Sequence, residues 1–143
     1  MGSHRYSLQI ITLWSTFLLG TLFHTQLGLM PLFHGLSVAI ESHQNGNLSL
    51  IFWSMLVFFV LPMFAMIATS FYESKKFRSI HFYFTLLYTI LNLLHVVFDL
   101  MITPIIWYQI ALMFILLFIG LLLNLVSYQW LKAVRSPSHP QKR

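Results

Sequence analysis

The chain has 143 residues, 58% of them hydrophobic and 8% charged, against a charged share of roughly a quarter in soluble domains. Eight Lys and Arg with three Asp and Glu cannot clothe a water-soluble core, so lipid must form the outer surface. The lack of any Cys excludes disulfides, thiolate metal sites and covalent c-type haem. The net charge of +5 falls in short clusters beside apolar runs rather than in an aromatic-interleaved stripe, which argues against nucleic acid as a partner.

Crossing about 30 Å of hydrocarbon at about 1.5 Å per residue takes about 20 mainly apolar residues. Four stretches qualify, at residues 7–30, 48–72, 79–103 and 105–131. They predict an all-α, integral-membrane four-helix bundle forming a single transmembrane domain. The first span carries no small-x-small cleavage site after it and is expected to be retained. Pro31 is expected to end it, because Pro lacks a donor and disfavours helix in the residue before it. The loop 31–47 begins with an apolar run, Pro31 to Ile40, that is too short to span and predicts a short interfacial helix. Ser42 to Asn47 reads as a polar turn. Pro62 is expected to kink the second span, and Pro104 to stop the third just before the fourth begins. Residues 132–143 form the tail, of which Ser136 to Arg143 carries two Pro and reads as flexible.

Every Lys and Arg falls at one end of these spans: Arg5, then Lys75, Lys76 and Arg78, then Lys132, Arg135, Lys142 and Arg143. The positive-inside rule therefore predicts that both termini and the loop around Glu73 are cytoplasmic, in a bacterial inner membrane or its equivalent. Trp53, Trp107 and Tyr108 are expected at the outer interface, and Tyr6, Tyr72, Tyr128 and Trp130 at the inner one.

Ionisable residues within spans are costly and tend to mark function. Four qualify: His24 in the first span, and His81, His95 and Asp99 in the third. Counted from Ser7 and Ser79 along two parallel spans, His24 and His95 reach nearly the same depth, in the outer half of the bilayer. Asp99 stacks one turn beyond His95 on the same face. His34, Glu41 and His43 in the outer loop are expected close above. Gly20 and Gly28 share the face of His24, which lets a helix or a flat ligand approach, and Asn92 extends the polar face of the third span.

Three readings follow. In the first, His24, His95, Asp99 and Asn92 hydrogen-bond to one another between helices. His24, His95 and Asp99, with His34 as a fourth ligand, suit a Zn, Cu or Fe ion. Alternatively His24 and His95 hold a b-type haem, with the glycines making room for the porphyrin. His81 and His95, 14 residues apart on one helix, form a spacing that resembles the paired haem ligands of membrane b-type cytochromes. That resemblance implies haem ligation by histidines within the membrane. It departs from the pattern at the inner level, where no intramembrane His of another span partners His81. His81 is therefore read as an interfacial residue beside lipid headgroups.

Scattered Met residues read as packing, Met30 being the one near His24 and His34. No hydrolase or transferase motif and no phosphate-binding glycine loop is present, so an enzymatic role would be that of a membrane-bound oxidoreductase component. The leading expectation is metal or haem binding near the outer face, for electron transfer or metal handling. The alternatives are a noncatalytic accessory subunit of a larger membrane complex or a homo-oligomer, and, third, a small proton or ion pathway through Asp99 and the histidines.

Overall fold

The computed structural model describes residues 2–38, 48–101, 103 and 105–133. The expected polar turn at 42–47, Glu41, His43, Pro104 and the tail from residue 134 onward lie outside the described residues. Four helices account for nearly all of the rest: α1 (Gly2–Phe33), α2 (Leu48–Phe71), α3 (Lys75–Met101) and α4 (Trp107–Lys132). Each is long and apolar enough to cross a membrane, and the chain is a multi-pass membrane protein.

The helices run up and down in chain order, so the starts of α1 and α3 and the ends of α2 and α4 share one end of the bundle. That end carries Arg5, Lys75, Lys76, Arg78 and Lys132, and is called the basic end below. The opposite, distal end holds the ends of α1 and α3. α4 packs closely on both α3 and α1, while α2 packs on α1 from outside. α1 and α3 are bridged chiefly by large side chains. Trp14 sits at the centre of these, its ring edge-on to Phe17 and Tyr88 and tilted against Phe84. Around it Ile10, Phe17, Val96, Met113, Leu116 and Leu123 form the buried core.

Helix boundaries depart from expectation in two informative places. α1 does not stop before Pro31 but includes it and continues to Phe33. The stop comes from Gly35, whose φ of 73° is left-handed. Leu36 N–H donates to Pro31 O at 3.0 Å and Gly35 N–H to Leu32 O at 3.1 Å, the paired bonds of a Schellman end. A Pro this late costs the helix one bond, and φ near −65° suits the last turn. The predicted interfacial helix consequently loses residues 31–33 to α1, and residues 34–38 are turn and non-helical chain. Its remainder, from residue 39, lies outside the described residues. α3 begins at Lys75 rather than at 79 because Ser74 caps it: its Oγ accepts from Phe77 N–H at 3.2 Å.

Pro62 lies within α2 and is fully buried. Lacking an N–H, it leaves the carbonyl of Phe58, four residues earlier, without its helical donor. The hydroxyl of Tyr88 on α3 donates to that carbonyl at 2.8 Å. The two rings pack at 4.9 Å between centroids. The proline and the tyrosine thus act together to fasten the otherwise peripheral α2, since an unsatisfied carbonyl in lipid is costly. Elsewhere hydroxyls within the helices satisfy themselves on the preceding turn, as Thr12 does on Leu8 O, Thr16 on Thr12 O and Thr21 on Phe17 O.

Candidate metal centre

Near the distal end, α1 and α3 bring polar side chains together. His24 and His95 meet with ring centroids 5.4 Å apart and planes at 82°, so equal counting along two parallel helices does bring them to one level. Asp99 lies against both: its Oδ2 is 3.5 Å from His24 Nε2 and its Oδ1 is 3.5 Å from His95 Nε2. The two contacts are made by one carboxylate because positions 95 and 99 are one turn apart on α3. Ligand atoms of all three residues lie within 4.8 Å of one another. His24 and Asp99 are largely enclosed, with side chains 13% and 19% exposed, whereas His95 at 54% forms the open side.

These groups are gathered but poorly satisfied. Hydrogen bonds to a carboxylate run at about 2.7–2.9 Å, well short of the observed separations. Buried His24 Nδ1 and Asp99 Oδ2 have no hydrogen-bond partner. Two donors each about 2.1 Å from one tetrahedral ion stand about 3.4 Å apart, which is close to each histidine–carboxylate distance, the two being made to different oxygens of Asp99.

The other residues expected at this site fall elsewhere. His34 does not join the group: the extension of α1 through Pro31 carries it ten residues past His24, about 15 Å along the axis, into an exposed turn. Gly20 faces α4, where an added Cβ would collide with the Leu116 side chain, and at Gly28 it would come 3.2 Å from Gln109 Nε2. Both glycines therefore admit α4, and the space beside His24 on that side is filled by protein. Asn92 is buried two turns inward from Asp99, its Oδ1 without a hydrogen-bond partner. Met30 is exposed.

No protein family, curated protein or solved structure matches this chain.

His81 corrects the sequence reading most clearly. It is fully buried rather than interfacial, and it ties three helices together. Its Nε2 accepts from Trp14 Nε1 of α1 at 3.1 Å, and its Nδ1 lies 3.3 Å from Ser127 Oγ of α4. With Nε2 accepting, the proton belongs on Nδ1, which then donates to the serine. Phe77, Trp14 and Trp130 enclose the ring. Trp130, expected as an interfacial anchor, is likewise completely buried. Arg78 stacks on it with the guanidinium carbon 5.1 Å from the ring centroid. Arg78 Nη1 donates to the carbonyls of Trp130 and Ala133, each at 3.0 Å, closing the end of α4. The signal for this node was present in the sequence: Arg78, His81, Thr85, Tyr88 and Asn92 recur every three or four residues along α3 and lie on its buried face.

Proposed function

We propose that this chain binds a single divalent transition-metal ion within the membrane, through His24 and His95 with Asp99, and serves in metal handling. The observation that carries this reading is the convergence of three ligand atoms from two helices within 4.8 Å, at separations too long for hydrogen bonds and suited to a shared ion. Two imidazoles and a carboxylate leave at least one coordination position open, a donor set that suits Zn, Cu or Fe. An open position on the His95 side is what loading and release of an ion require.

A b-type haem fits this arrangement less well. Axial histidines approach haem iron from opposite faces of the porphyrin, whereas here both Nε2 atoms address one carboxylate lying between them. The neighbouring glycines are occupied by α4 side chains. The positive-inside rule supports assigning the basic end to the cytoplasm, which sets the metal near the outer face.

The test is metal analysis of protein purified in mild detergent, together with an optical spectrum before and after dithionite. The proposal requires about one metal ion per chain, lost in His24→Ala and in Asp99→Asn, and no Soret band. A Soret band would transfer the site to haem. Metal-free protein that refuses added Zn, Cu and Fe would leave the accessory-subunit reading, which the nearly complete exposure of α2 favours.

A further inference from the structure

A second site is built at the opposite end of the bundle from different chemistry. Between the α2–α3 turn and the end of α4 the molecule has a wide cleft of about 1080 Å³. Among the described residues Lys75, Arg78, Lys132 and Glu73 line it, and Phe71 and Leu131 supply apolar wall. We propose that this cleft binds the phosphate of an anionic phospholipid headgroup, with the acyl chains leaving along Phe71 and Leu131.

Three features support a built site rather than a scatter of surface charge. Arg78 is buried, and its guanidinium is fixed by the two α4 carbonyls and the Trp130 face, so a cation is held in place at the floor of the cleft. With Nη1 engaged by those carbonyls, Arg78 adds fixed positive charge beneath the cleft, while lysine ammonium groups, as compact point charges, can make the direct contacts to phosphate oxygens. Lys75 and Lys132 approach from two different helices. Lys132 Nζ rests 4.4 Å from the centroid of the Tyr128 ring, which holds it beside the cleft. Two exposed lysine ammonium groups face the cleft, and its place at the ends of membrane-spanning helices is where headgroups lie. A free phosphate shares the anionic chemistry but gains nothing from Phe71, which is largely exposed at the mouth. Basic pockets between transmembrane helices are a known means of selecting anionic lipids.

The full chain in mild detergent should be offered phosphatidylglycerol and phosphatidylcholine, and retained lipid counted by native mass spectrometry across a titration. Phosphatidylglycerol should be retained in preference. The exposed pair Lys75→Gln/Lys132→Gln should weaken its binding roughly thirtyfold, as expected for two headgroup-facing cations. Arg5→Gln/Lys76→Gln removes equal charge from the same end outside the cleft and should change binding by less than about threefold. Helicity and metal content should match wild type in both pairs, separating this site from the distal one. Equal losses in the two pairs would show diffuse attraction and overturn the proposal. So would equal retention of phosphatidylcholine, or displacement of the lipid by inorganic phosphate at matched concentration, which would assign the cleft to a soluble ion.

Discussion

His81 and His95 lie on one helix, yet their surroundings are opposite in kind. At the basic end His81 is sealed among Phe77, Trp14 and Trp130, and each ring nitrogen meets a side-chain partner from a different helix. At the distal end His95 is half exposed, and it shares with His24 a carboxylate that stands too far from either for a good hydrogen bond. Burial with complete pairing makes the first histidine a structural fastener. Convergence without pairing is the observation behind the proposal that the second group binds a metal ion. Residue type alone cannot tell these apart, because the same imidazole serves both ends.

That contrast can be broken at either end. The largest effect is expected at the basic end. His81→Ala removes a ring from an aromatic box and leaves Trp14 Nε1 and Ser127 Oγ buried without a partner, which should cost about 3 kcal/mol in a reversible detergent unfolding assay. Metal content should be unchanged. A loss below about 1 kcal/mol would show that the node carries little of the fold.

At the distal end the sign reverses. Zinc at about 100 times its dissociation constant should stabilise wild type by about 2.7 kcal/mol, and this gain should vanish in Asp99→Asn. An equal gain in the variant would place the ion elsewhere.

Smaller still is the fastening of α2. Tyr88→Phe should cost about 1 kcal/mol by leaving the Phe58 carbonyl unsatisfied. In a Pro62→Ala background, where residue 62 regains its N–H, the cost should fall by more than half. Additive effects would refute the pairing of that proline with that tyrosine. The smallest change belongs to the distal site without metal. There His24→Ala should alter stability by only about 0.6 kcal/mol, the usual worth of a polar contact between membrane helices. A much larger loss would mean that His24 is a fastener like His81.

Much of this architecture was legible in the chain itself. Four apolar runs gave the four helices, because lipid demands length and apolarity in each one independently. The meeting of His24 with His95 followed from counting along two parallel helices, and the place of Asp99 from the spacing of a helical turn. What escaped depended on particular caps and partners. Pro31 looked like a stop, but Gly35 supplies the left-handed residue that ends α1, and His34 moved away with it. Ser74 capped α3 a turn earlier than its apolar run suggested and drew Arg78 inside the helix. His81 and Trp130 looked interfacial because they lie near charges in sequence. They are buried because Arg78 lies over Trp130 and binds the end of α4, and this pairing of α3 with α4 shows only in three dimensions. Gly20 and Gly28 marked close approach, while their spacing could not say that the neighbour would be α4.

The central claim is that His24, His95 and Asp99 form one coordination sphere. Its most direct test is a zinc, copper and iron binding titration of the purified chain, with wild type compared to His24→Ala, His95→Ala and Asp99→Asn. The account predicts one ion per chain in wild type and a loss of affinity beyond about 100-fold in each variant, since removing a ligand should exceed the effect of losing a ligand's supporting partner. Unchanged stoichiometry and affinity in all three variants would contradict it.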